Sequence, residues 1–434
     1  MELIRKGVEL LFLTDEEKRM LHGEDGLVRQ KCMEQLVDLA EIAGAERLID
    51  LDGTGDFTCG AGAASGKFGF PYEALKELAD SGAKFKIPTY SNKVPIPQVP
   101  FHGWEKCGIP QHEDPEYNQK LRAEDYMSLY RKMGVFASHS CANYLSSSFW
   151  PTVGQHCSWT ESSAVPYCNA VLGGRVNLDG TFATCFLAKA PYYGMHVTEN
   201  RYATVVIKTE RPIKSDLEWD VYGFAIGEIS ELAVPAITGT ANATTSKIVK
   251  MNSSLNTGGS IPMYHIPGLT PEAQTLELAL NGKQPRETFV LTEADLRKAY
   301  DTVNYLPVED VDFVSLGCPH YNMVDLWRAA QLLDGKKCKV RLWIMTSPWL
   351  YDHAEAQGFL KIFNDAGATL LSGSCPAAMG MPDGIKAVAM DSVKQSYYLT
   401  GRFSTPDNPL HVCYGSMEDC IQAALTGKWR GEWR

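Results

Sequence analysis

The sequence predicts an α/β protein with more than one lobe, built on parallel sheets, with its functional groups in a cleft between lobes. Three observations support this. The chain has 434 residues, whereas a single hydrophobic core rarely grows beyond about 250 residues. Between residues 290 and 400, short apolar runs alternate with stretches of helical period, the pattern of a parallel sheet with right-handed crossovers. The composition, 44% hydrophobic and 21% charged, is that of a globular protein rather than a disordered one.

Taken in order, the first helix is announced by Thr14-Asp15-Glu16-Glu17, a cap followed three residues later by a glutamate that can reach back. The amphipathic run MEQLVDLAEIAGA follows, with Gly44 as its stop, and ERLIDLDG reads as a strand. Residues 51–67, LDGTGDFTCGAGAASGK, are rich in Gly and Ala but lack the spacing of a P-loop. PYEALKELADSGAKFKIPTYS predicts a helix capped at Gly82 and a strand ending near Pro88. The prolines at 95, 97, 100, 110 and 115 exclude regular structure there, as in the long ordered loops that wall enzyme sites. AEDYMSLYRKMG restores a helix. From Thr292 the reading is helix EADLRKAYDTV, strand DFVSLG, helix MVDLWRAAQLLDG, strand KVRLWIMTS, helix YDHAEAQGFLKIFNDAG, strands ATLLSG and KAVAMDS, and helix VKQSYYL. The expected divisions are 1–135, 136–288 and 289–434.

The 41 Lys and Arg against 52 Asp and Glu give a net charge of −11, which leaves no basic footprint for nucleic acid or an anionic membrane surface. Small anionic substrates remain possible, since they need only a few local cations. The opening residues lack the apolar core and cleavage site of a signal peptide, and no apolar run is long enough to span a bilayer. The cytoplasm is the expected compartment.

Twelve cysteines are present, none in a CxxC pair. This excludes a zinc ribbon, a thioredoxin motif and dense ferredoxin spacing, so most should be small buried apolar residues. Context promotes a few. Cys318-Pro319-His320, Ser347, Ser374-Cys375-Pro376 and Ser392-Val393-Lys394 follow predicted strands, and open α/β sheets bind ligands beyond the carboxyl ends of their strands. A third candidate, Cys141, lies in SHSCANYLSS. Downstream stand Glu161-Ser162-Ser163, Asn169, Arg175 and Asn177, offering an acid/base group, hydrogen-bond donors and a planar cation suited to carboxylate. Arg175 follows Gly173-Gly174, which would let the backbone approach a ligand. Cys157, Cys168 and Cys185 read as buried and inert. Cys59 is a weaker candidate ligand. His320 could orient substrate or simply brace its loop, and Glu161 could act as acid/base or hold Arg175.

The order SC-x-x-Y, W-x-ESSAV-x-Y-x-N-x-VLG-x-R-x-N, PGLTPEA, GCPH, a late Cys, S-x-K-x-x-x-Y and YGSMEDCIQAALTGKW, extending from the Thr14 helix to Trp429, resembles the catalytic large subunit of the aconitase X family. The resemblance implies an aconitase-like multi-domain architecture, with Rossmann-like sheets around a central cleft. It also implies an iron–sulfur dehydratase (2Fe-2S or 4Fe-4S), with activities on cis-3-hydroxy-L-proline and mevalonate 5-phosphate. Carried over by position, Cys141, Cys318 and Cys375 would hold the cluster. Glu161, Ser162, Ser163 and Lys394 would be catalytic, and Tyr144, Asn169, Arg175, His320 and Ser392 would contact substrate. Arg175 or Lys394 would neutralise the substrate carboxylate. A small swivelling subunit that carries a serine is implied as a separate partner, giving a heterodimer.

The sequence departs from the family pattern between Asp52 and Pro110, where DGTGDFTCGAGAASG replaces a histidine-containing segment. Dehydration of cis-3-hydroxy-L-proline is the leading expectation. Mevalonate 5-phosphate is the alternative, with only Lys67 in the Gly-rich loop as an obvious phosphate cation. A non-catalytic iron–sulfur scaffold subunit is the alternative of another class, and visible absorbance with and without the partner would separate it from an enzyme.

Overall fold

The computed structural model describes residues 11–58, 72–92, 103, 123–146, 150–240 and 243–433. Cys59, Lys67, Cys107 and most of the Gly- and Pro-rich loops lie outside them. In the first lobe, Thr14 caps α1 (Asp15–Leu21) through a reciprocal bond with Glu17, and α2 (Leu27–Ala43) ends at a left-handed Gly44. These helices pack with β1 (Leu48–Asp50), β2 (Gly55–Phe57), α3 (Tyr72–Asp80), β3 (Thr89–Ser91), α4 (Ala123–Lys132), α5 (Phe182–Leu187) and β4 (Lys189–Pro191). The strand predicted to end near Pro88 instead starts after it, so the proline sits outside the ladder where its missing N–H costs nothing. β1 pairs with β4 antiparallel and β2 with β3 parallel.

The second lobe is a three-stranded parallel sheet in the order β6-β5-β7, formed by β5 (Val205–Thr209), β6 (Pro235–Ile237) and β7 (Glu287–Leu291). It carries α6 (Asp216–Ser230), α7 (Thr245–Gly259) and α8 (Glu293–Val303). α6 and α7 approach closely through glycines. A Cβ on Gly227 would lie 2.6 Å from the Leu255 carbonyl oxygen, and one on Gly223 2.3 Å from Ser254 Oγ. α6 is buried along most of its length, including Trp219 and Tyr222. This accounts for its weakly amphipathic sequence.

The third lobe holds a five-stranded parallel sheet in the order β10-β9-β8-β11-β12. Its elements are β8 (Phe313–Tyr321), α9 (Met323–Leu333), β9 (Arg341–Thr346), α10 (Pro348–Ala356), α11 (Phe359–Ala366), β10 (Ala368–Ser372), β11 (Ala387–Met390), α12 (Val393–Phe403), β12 (His411–Tyr414) and α13 (Met417–Thr426). Helices cover both faces and every residue of β8 is buried, as a central parallel strand requires. Two expectations change here. The helix predicted over 351–367 is two helices, because Gly358 adopts a left-handed φ of 80° and caps the second. The strand predicted to stop at Gly317 runs on to Tyr321 after a shift of register beyond Leu316, so Cys318, Pro319 and His320 lie within an irregular strand end.

The mixed α/β architecture with its parallel sheet agrees with the predicted fold class. Among the described residues no helix is long and apolar enough to cross a membrane.

Candidate active site

Strand ends of the third lobe meet the Cys141 and Glu161 segments around a cavity of about 350 Å³. Its wall includes Cys141, Cys318, Cys375, Glu161, Ser162 and Lys394, together with Thr160, Leu178, Ala377 and Tyr398. All three cysteines are buried. Burial raises the Cys318 thiol well above its usual range and the nearby Cys375 and Cys141 raise it further, while Lys394 and a hydrogen bond with Ser392 pull it down. Among the described residues, no group of three or more His, Cys, Asp or Glu side chains is placed to hold a metal ion.

Lys394 and Glu161 form a buried ion pair, with side-chain exposures of 7% and 5%. Lys394 also donates to Ser162 Oγ at 2.9 Å and lies 5.8 Å from the centre of the Tyr398 ring, near the range of a cation–π contact. Lys394 stands in the first turn of α12, whose cap is Ser392 accepting from Gln395 N at 3.1 Å. A buried cation at the positive end of a helix is unfavourable by itself, so Glu161 is what makes its charge tolerable. The bend before α12 is held from the second lobe. Lys250 Nζ donates to the Asp391 carbonyl at 2.6 Å and to its carboxylate at 2.8 Å, and Val393 N donates to Asp220 at 3.0 Å. Bonds on both sides of Ser392 therefore fix its position.

The remaining candidates fall elsewhere. Ser163 is buried behind the wall, its hydroxyl 3.5 Å from Glu161 Oε1. Tyr144 is buried and stacked between Tyr167 and Trp159, at 4.3 and 6.1 Å. Asn169 is occupied as a brace: its amide donates to the Val176 and Pro262 carbonyls and its oxygen accepts from Val176 N and Arg201. Arg175 is not brought to the cavity. Its guanidinium donates to the His196 carbonyl at 3.0 Å and to Thr198 at 2.9 Å, and Glu161 is paired with Lys394 instead. His320 is buried with both ring nitrogens bonded to protein, to Ser140 Oγ at 3.1 Å and to the Ser374 carbonyl at 3.0 Å, and does not line the cavity.

Sequence reasoning passed over Leu178 and Tyr398 as wall residues. Tyr398 had a signal, since it stands four residues after Lys394 and so shares its helix face. Leu178 had none, because a lone leucine in a polar segment looks like packing.

Comparisons with known proteins agree along the chain. Models of the aconitase X first, second and third domains match residues 10–199, 203–301 and 311–426. The phosphomevalonate dehydratase large subunit of Thermococcus kodakarensis is 30% identical over 394 residues, covering 89% of this chain and 95% of that protein. The cis-3-hydroxy-L-proline dehydratase of Pseudomonas aeruginosa is 29% identical over 423 residues, covering 95% of this chain and 70% of that protein. The holo-form crystal structure of Thermococcus kodakaraensis aconitase X superposes with a TM-score of 0.78 at 28% identity, covering 95% of this chain and all of that one. The chain belongs to the aconitase X family and is a dehydratase, that is, a hydro-lyase.

Proposed function

We propose that this chain is the large subunit of an iron–sulfur dehydratase that converts cis-3-hydroxy-L-proline to Δ1-pyrroline-2-carboxylate. The observation that carries the reading is the joining, in one cavity, of three buried cysteines and the Lys394–Glu161–Ser162 group. The donor set suits a cluster. Three thiols would leave one coordination position of a cluster open to substrate, and buried thiols that raise one another's pKa become favourable once a cation is placed among them. When bound, such a cluster supplies Lewis-acid assistance to the departure of hydroxide.

The chain's own residues do the rest. The Lys394 ammonium binds the substrate carboxylate, which competes with Glu161 for it and frees the Glu161 carboxylate to accept the proton α to that carboxylate. Lys394 then stabilises the enolate-like charge that develops, and Ser162 donates or accepts one hydrogen bond at the same position. Leu178 and Tyr398 give the ring methylenes an apolar wall. Among the described wall residues Lys394 is the one cation, which suits a substrate with a single anionic group.

A second reading, dehydration of mevalonate 5-phosphate, is supported by relatives named as phosphomevalonate dehydratase large subunits, such as that of Thermococcus kodakarensis, a name that goes with a small subunit as partner. That subunit would supply the serine of the swivelling domain. The test is to incubate the anaerobically prepared complex of large and small subunits with each acid, following loss of water by mass spectrometry. Turnover of cis-3-hydroxy-L-proline supports the first reading, and turnover of mevalonate 5-phosphate alone replaces it with the second. A coloured complex that dehydrates neither acid overturns both substrate readings.

A further inference from the structure

Three separate segments carry the cysteines of the cavity: the turn after α4, the end of β8 and the loop after β10. One residue ties all three. His320 N donates to Cys141 Sγ at 3.4 Å, and its Nδ1 lies 3.1 Å from Oγ of Ser140, the residue before Cys141. Its Nε2 lies 3.0 Å from the carbonyl oxygen of Ser374, the residue before Cys375. His320 itself follows Cys318 by two residues.

The partners fix the ring's chemistry. A carbonyl oxygen can only accept, so Nε2 carries the proton and donates to Ser374. In the neutral ring Nδ1 is then an acceptor and takes the Ser140 hydroxyl hydrogen. Ser140 Oγ in turn accepts from Ala142 N at 3.1 Å, so one chain of bonds runs from the backbone after Cys141 through the imidazole to the backbone before Cys375. At 2% exposure the ring is shielded from water, and these bonds are not exchanged for solvent.

We propose that His320 is a positioning residue that holds the segments of Cys141, Cys318 and Cys375 at the separation a cluster needs. This rests on the assignment of the three cysteines as ligands. Of the two roles the sequence leaves open for His320, orienting substrate or bracing its loop, the structure favours the second, because both ring nitrogens are bonded to protein. The reason for a histidine here is geometric: a rigid ring with a donor at one end and an acceptor at the other spans two loops that no backbone ladder joins.

The test uses the full chain in two forms. In anaerobically reconstituted protein, His320→Leu should lose iron to a chelator far more readily than the wild type, by about 10- to 100-fold in affinity, as for other residues that orient metal ligands. In metal-free protein, alkylation mapped by mass spectrometry should accelerate at Cys141 and Cys375 and stay unchanged at the fully buried Cys157. His320→Gln, whose amide can occupy the Nε2 position, should protect Cys375 more than Cys141. His320→Asn, which mimics the Nδ1 side, should do the reverse. If His320→Leu fails to fold, these two milder variants still decide the matter. Wild-type iron retention and alkylation in the variants would overturn the proposal, as would acceleration that includes Cys157 equally, which marks general loosening. Should the wild type hold no iron, the ligand assignment fails, while the alkylation pattern still tests whether His320 ties the segments.

Discussion

Lys394 carries its charge in an electrostatically poor place, buried in the first turn of a helix, and Glu161 is the compensation. If Glu161 also accepts the substrate proton, Glu161→Gln should lower kcat by about 10²- to 10⁴-fold while iron content stays at the wild-type level. A fall in stability with little change in kcat would make Glu161 only a clamp. A second pair makes a pH prediction. The Nδ1 atoms of His156 and His196 are 2.9 Å apart, so one ring donates and the other, neutral, accepts. Burial first, then the charge His156 would carry and the Arg201 and Arg175 guanidinium groups, lower His196 from 6.5 to about 3; burial and Arg175 lower His156. The unfolded chain therefore takes up these protons first. The contribution to stability is whole above pH 6.5 and declines as the pH falls toward 3, by up to about 1.4 kcal/mol per unit for a fully shifted group. Denaturant midpoints between pH 7 and 5 should fall less steeply in His196→Asn than in the wild type. Equal slopes would show that the pair does not carry this effect.

At the scale of elements, α6 and α7 act as one block because glycines let their backbones meet, and that block holds the bend at Ser392 through Asp220 and Lys250. Gly227→Ala would press a methyl against the Leu255 carbonyl oxygen and Gly259 N, at 2.6 and 2.8 Å. Overpacking of this kind costs about 1–3 kcal/mol, and kcat should fall with it; an unchanged denaturant midpoint would mean the contact relaxes freely. Helix caps such as Thr14 and Thr292, and the strand–helix alternation after residue 290, were legible in the sequence because each is a local signal of a few residues. Cys318 and Cys375 stood out by their place at predicted strand ends, and both line the cavity. Arg175 lies away from the cavity, and the glycine before it meets a packing demand as well as it could admit a ligand: a Cβ on Gly174 would lie 2.7 Å from Cys168 Sγ and 3.0 Å from Pro151. The sequence motif cannot separate those two demands, nor could it reveal that His320 bonds to residues 180 and 54 positions away.

For the whole molecule, the cavity is built where lobes meet, with Lys394 held from the second lobe and the cysteines from the first and third. The chain alone should bind its cluster yet dehydrate substrate slowly, and adding the small subunit should restore turnover; full activity without a partner would refute the two-subunit reading. Cys141, Cys318 and Cys375 are expected to hold an iron–sulfur cluster at this cavity. The most direct test is iron and acid-labile sulfide content, with visible absorbance, of the anaerobically reconstituted chain and its single Cys→Ala variants. The expected result is matched iron and sulfide in the wild type and in Cys157→Ala, with loss of both in Cys141→Ala, Cys318→Ala and Cys375→Ala. Wild-type iron and sulfide in those three variants, or iron without sulfide in the wild type, would contradict it.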